Sequence, residues 1–208
     1  EQADVIAKGD LDANITPRGE KDRLGIALQE MTQMLRENAQ ERDRQRWHEE
    51  GQTHLSDQLR GDITMSDLGK QALAVVIKRT QALVGAFYAA GTDESLELVA
   101  SQAFTHRREL GAKLDVQHGL LGQAIAEQQI IVIESLPTDY MPIGSALGET
   151  TPRQLMMVPF YLDGALMGAL ELATLTNFDH RHIEFVKSSQ EAIAISLAMA
   201  KSRGRNQE

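Results

Sequence analysis

Leu155-Met156-Met157-Val158-Pro159-Phe160-Tyr161-Leu162-Asp163-Gly164-Ala165-Leu166-Met167-Gly168-Ala169-Leu170-Glu171-Leu172 decides the fold. Two apolar runs flank an Asp-Gly pair. A type I′ two-residue hairpin turn needs positive φ at both central residues, which Asp and Gly tolerate, so this stretch predicts a buried β-hairpin. Upstream, Gly85-Ala86-Phe87-Tyr88-Ala89 and Leu96-Glu97-Leu98-Val99-Ala100 read as two more strands, joined by the turn Gly91-Thr92-Asp93-Glu94-Ser95. Before them Met65, Leu68, Ala72, Val75, Val76 and Leu83 recur at helical spacing. Between the hairpins, Gly119–Ala126 reads as a short helix and Ile130–Ile133 as a buried strand. Pro137, Pro142, Gly144, Gly148 and Pro152 mark residues 135–152 as a long loop. A final helix is expected from near Asp179 to about Lys201. This order predicts an α+β domain on a mostly antiparallel sheet.

The first sixty residues follow another pattern. Thr16-Pro17-Arg18-Gly19 interrupts any helix. Leu24, Leu28, Met31 and Leu35 then recur at spacings of four, three and four, the seam of a coiled coil. Such a seam needs a partner helix to bury it, so a parallel homodimer is expected. In the same register Asn38, Arg42, Gln45, Glu49 and Gln52 are all polar. Residues 36–60 are therefore expected to be a helical connector with a poor core. A stutter would turn Ala39 and Trp47 inward, and a simple charged spacer is the alternative.

Composition narrows the function. The chain has 208 residues, 42% of them apolar and 25% charged, with a net charge of −9. Arg42, Arg44 and Arg46 alternate with Glu41, Asp43, Glu49 and Glu50, the pattern of a solvated helix face rather than a phosphate-binding stripe. Nucleic acid is thus not the expected partner. Without cysteine, disulfides, thiolate metal sites and thiol nucleophiles are impossible. No run approaches the ~18 apolar residues of a membrane span.

Two resemblances organise these observations. Gly119-Leu120-Leu121-Gly122-Gln123-Ala124, Val158-Pro159-Phe160, the Asp163–Leu172 segment and Phe178-Asp179 follow one another as in GAF domains, so residues 63–203 resemble that family. Gly9, Leu11 and Ile15, followed by Asp22, Leu24 and Gly25, resemble the connector and second helix of a HAMP domain over residues 1–40. A helical coiled-coil connector over 41–62 would join them, and 204–208 would lead to an output domain. The resemblance implies a fragment of a membrane-bound sensor histidine kinase, on the cytoplasmic side of the inner membrane. Gly9, Leu11, Ile15, Leu24, Leu28, Met31 and Leu35 would relay the signal. A response regulator would be engaged through the kinase domain. A diguanylate cyclase sensor or a structural dimerisation module with a vestigial pocket is the alternative.

For chemistry the sequence offers little. His180 and His182 fall on different helix faces, and no histidine pair has the i, i+4 spacing of a helical metal site. No metal and no cofactor is expected; a haem would need an apolar pocket beside His106 or His118. The resemblance includes methionine-sulfoxide reductases and bilin carriers, and both chemistries need cysteine. Asn177-Phe178-Asp179 lacks the lysine of the cyclic-nucleotide signature. No catalytic residue is expected. What the resemblance does imply is a small-molecule pocket, with Tyr88, Phe104, Leu121, Tyr140, Met141, Met156 and Glu171 as candidate lining. A carboxylate in an apolar strand is costly to bury unless paired, so Glu171 either serves that pocket or points to solvent.

Overall fold

The computed structural model describes residues 16, 17, 19, 22–91, 95–103, 113–115, 119–134, 136, 143–145 and 148–205. Two compact units divide between Glu49 and Glu50.

In the first unit the dominant element is the start of helix α1, which runs without a break over Arg23–Gln58. Asp22 Oδ1 accepts from the Gly25 amide at 2.9 Å, satisfying one of the donors that a helix start leaves open. Along the seam, Leu24, Met31 and Leu35 are exposed, at 72%, 48% and 39%, while Leu28 is half-buried. Beyond it Asn38, Arg42, Gln45 and Glu49 are exposed, while Ala39 and Trp47 are half-buried. Arg44 pairs with Glu41 at 2.7 Å and Arg46 with Asp43 at 3.7 Å, both exposed i, i+3 pairs. These are the solvated helix face expected from the charge pattern.

The second unit is an α+β domain. Helix α2 (Met65–Thr80) begins at Thr64, whose side chain accepts from Asp67 N at 3.1 Å, and ends at Gln81 in the left-handed conformation. Leu83, which the periodicity assigns to this helix, lies past its end and is exposed. Then come β1 (Val84–Ala90), β2 (Ser95–Gln102), β3 (Lys113–Asp115), α3 (Gly119–Glu127) and β4 (Ile131–Ile133). They are followed by β5 (Ile143–Ser145), β6 (Gly148–Thr150), β7 (Gln154–Leu162), β8 (Ala165–Thr174) and α4 (His180–Arg205). Six strands form one antiparallel sheet in the order β3-β2-β1-β8-β7-β4, and β5 pairs with β6 separately. Two elements depart from the expectation. The edge strand β3 lacks an apolar run that would announce it, and the loop assigned to 135–152 contains the β5–β6 hairpin.

The β7–β8 turn is the predicted one, with φ of 50° at Asp163 and 78° at Gly164. Side chains alternate across the sheet, so pairing assigns each residue a face. Gly85 opposes Leu172, which opposes Met156; a Cβ on Gly85 would meet the Leu73 and Ile77 side chains of α2. That face is covered by α2 and α4. Phe87 and Phe160 stack beneath them with ring centroids 5.6 Å apart. The other face carries Val84, Ala86, Tyr88, Leu155, Met157, Ala169 and Ala173, and there Leu121 and Ala124 of α3 close the core.

Candidate functional site

Glu171 shows which face of the sheet carries the candidate residues. It sits on β8 between Ala169 and Ala173, opposite Ala86 on one side and Met157 on the other. It therefore belongs to the face covered by α3 and not to that covered by α2 and α4. It is half-buried rather than solvent-directed. Tyr88 is fully buried on β1, two residues beyond the partner of Glu171. The phenol reaches along this diagonal and donates to Glu171 Oε2 at 2.8 Å. The carboxylate thus gains the partner that burial in an apolar strand demands.

Helix α3 covers this face with Leu121 and Ala124. Gly119, at φ 79°, lets the chain turn into the helix. Tyr161 fixes the other end: its hydroxyl donates to Ile125 O at 2.7 Å. Burial pushes the Tyr161 phenol pKa above its ordinary value, so it stays a neutral donor.

The candidate lining is therefore partly assembled. Tyr88, Leu121 and Glu171 share one face. Phe104, Tyr140 and Met141 lie outside the described residues. Met156 is a correction: it opposes Leu172 on the α2–α4 face, and Met157 occupies the position beside Glu171. The cause is a bulge. From Leu162–Ala165 and Tyr161–Leu166, unbroken pairing would bring Met156 opposite Glu171. The register shifts between Phe160 and Tyr161, leaving Met167 as the extra residue, and every later β8 residue meets the β7 residue one position further on. Hairpin counting alone misses the bulge; the signal available in the sequence is Gly168, an isolated glycine inside the strand beside the extra residue.

Among the relay candidates, Gly9, Leu11 and Ile15 lie outside the described residues; Leu24, Leu28, Met31 and Leu35 are all on α1. Among the described residues there is no group of three His, Asp or Glu able to hold a metal, and no helix long and apolar enough to cross a membrane. His182 is buried at the start of α4, where its Nδ1 accepts from Asp179 N at 3.3 Å. Desolvation lowers its pKa, outweighing the opposing influence of Asp179. Its surroundings are those of a helix cap. The α3 face combines an apolar wall with one carboxylate–phenol pair.

The comparisons with known proteins agree with this geometry. The sequence profile of the GAF domain family matches residues 62–198. Comparison with curated protein sequences returned no match. Among solved structures, the GAF domain of a phosphoenolpyruvate-protein phosphotransferase from Coxiella burnetii superposes with a TM-score of 0.63 at 17% identity. It covers 76% of this chain and 96% of that one. The free methionine-R-sulfoxide reductase of Neisseria meningitidis gives 0.58 at 18% identity, covering 75% and 91%. The GAF domain of a two-component sensor histidine kinase from Bacillus halodurans gives 0.51 at 12% identity, covering 69% and 99%. With its six-stranded antiparallel sheet, its flanking helices and the family match over 62–198, the chain belongs to the GAF domain family.

Proposed function

We propose that this chain is the signal-transducing and sensory region of a membrane-bound two-component sensor histidine kinase, working as a parallel homodimer. The observation that carries the proposal is α1. One helix, Arg23–Gln58, carries the seam Leu24, Leu28, Met31, Leu35, of which Leu24, Met31 and Leu35 are exposed, and its last residues belong to the second unit. A second copy would bury that seam. Residues 1–40 would act as the C-terminal part of a HAMP domain, with Gly9, Leu11 and Ile15 in its connector. The chain would lie on the cytoplasmic side of the inner membrane. A kinase domain would receive the signal and pass it to a response regulator, as the histidine-kinase origin of the Bacillus halodurans relative suggests.

In this reading the α3 face takes a small molecule. Leu121 supplies apolar contact, and the Tyr88–Glu171 pair supplies hydrogen-bonding groups. A ligand acts only through unequal affinity for two arrangements of the dimer. The chain lacks the cysteines that methionine-sulfoxide reduction needs, so that activity forms no part of this reading.

Native mass spectrometry of the purified chain after exposure to a bacterial metabolite extract tests the binding half. A small-molecule adduct on the parent chain that disappears in folded Leu121→Trp supports it. A parent chain with no adduct, or one that Leu121→Trp retains, counts against it.

A further inference from the structure

The final turns of α1 are joined to α4 by a polar contact that the coiled-coil pattern does not anticipate. The heptad register makes Gln52 one more empty seam position. In the structure its Nε2 instead lies 2.8 Å from Ser188 Oγ, 3.0 Å from Ser189 Oγ and 3.3 Å from Phe185 O. An amide nitrogen has two protons, and the two serine hydroxyls are the nearer acceptors. Those hydroxyls are themselves oriented: Ser188 and Ser189 reach Phe185 O at 3.0 and 2.7 Å, which leaves their lone pairs for Gln52. Ser189 is fully buried and its bond to Gln52 is half-buried, whereas Ser188 and its bond to Gln52 are exposed.

Beside this contact, Gly51 allows the close approach. A Cβ there would lie 2.7 Å from Phe185 Cε2 and 3.3 Å from Arg79 Nε. Leu55 and Leu59 extend the buried side of the same turns. Helix α4 continues from the contact to the sheet. Gln190 donates to Pro159 O at 2.6 Å, and Lys201 donates to Ala90 O at 2.9 Å. Pro159 opposes Ala169, which opposes Tyr88.

We propose that Gln52 is a latch that fixes the end of α1 to α4, so that rotation or sliding of α1 must move α4 or break the contact with Ser188 and Ser189. The signalling consequence rests on the proposed relay function; the latch itself does not. Gln52 is a positioning residue. Its amide joins the N-terminal helix to the C-terminal helix by side-chain hydrogen bonds.

The absence of native cysteine allows clean spin labelling at the exposed positions Ser56 and Lys187. Labelled chain diluted with unlabelled chain gives the distance within one protomer by pulsed dipolar spectroscopy. The full chain should show one narrow distance. Gln52→Met, which keeps the side-chain length without the donors, should broaden or split it and speed amide exchange in 50–58 about tenfold, from the loss of one or two neutral hydrogen bonds. Ser188→Ala with Ser189→Ala should do the same, and adding Gln52→Met should change little further. An unchanged distance and unchanged exchange in either folded variant overturns the latch. Ligand binding enters neither readout, so failure to find a ligand leaves this result standing.

Discussion

The Tyr88 hydroxyl donates to Glu171 Oε2 over 2.8 Å, from one central strand to its neighbour. The pair places a polar side-chain contact between β1 and β8 on the face that α3 covers. Replacing Tyr88 with Phe leaves the ring and removes the donor. Hydrogen bonds to charged groups contribute about 1.5–3 kcal/mol, and half-burial of Glu171 places the expected loss near the lower end. Urea unfolding should show a lower midpoint with an unchanged slope. An unchanged midpoint would mean that water serves the carboxylate equally well.

Gly168 is needed for space rather than for turn geometry. A Cβ there would collide with the Tyr88 carbonyl oxygen and lie 3.0 Å from Leu197 Cδ1. The first neighbour is backbone and cannot swing aside. Gly168→Ala should therefore cost about 1–3 kcal/mol, the usual range for overpacking a filled core. Thermal unfolding of the variant reads this directly, and a melting temperature at or above the parent's contradicts it.

The legible part of the sequence was the part whose signals are local. The Asp163-Gly164 turn, the two hairpins, the short α3 and the Asp179 start of α4 follow from turn chemistry and periodicity. The α+β order followed from them, and the four GAF-like segments lie within the matched span. Features set by tertiary contact were not legible. Lys113–Asp115 forms a strand only because β2 offers an edge. Met156 and Met157 exchanged faces through a bulge. Gln52 looked idle because a heptad count cannot see α4. Glu171 was ambiguous because alternation gives relative faces and not which face is covered.

His182 gives the domain a pH response of defined sign. Burial lowers its pKa from the ordinary 6.5, so the folded state favours the neutral ring. Between the folded value and 6.5 the unfolded chain binds more protons, and stability rises with pH. Its contribution is complete above about pH 6.5 and falls as pH drops toward the folded value. Denaturant titrations from about pH 8 to about pH 5 should show a shallower decline in His182→Gln than in the parent. Identical profiles would remove His182 as the cause.

The exposed seam residues predict oligomeric state. Leu24, Met31 and Leu35 are exposed in one chain, and a parallel partner helix would bury them. Light scattering should return a dimer of the 23.0 kDa chain, and Leu24→Ser with Met31→Ser and Leu35→Ser should shift it toward monomer. A parent chain that stays monomeric at high concentration contradicts the proposed dimer.

A relay of this kind needs a compliant helix joined to a firm sensor fold. Asn38, Arg42, Gln45 and Glu49 are exposed and bury no apolar area, forgoing ~0.8 kcal/mol for each methylene that a leucine seam would cover. The β7–β8 hairpin, by contrast, is buried over Gln154–Phe160. Hydrogen exchange on the full chain compares the two directly. Amides of residues 36–49 should exchange much faster than those of the 155–172 hairpin. Equal protection in both would make α1 a rigid rod and contradict the switching helix on which the proposed relay depends.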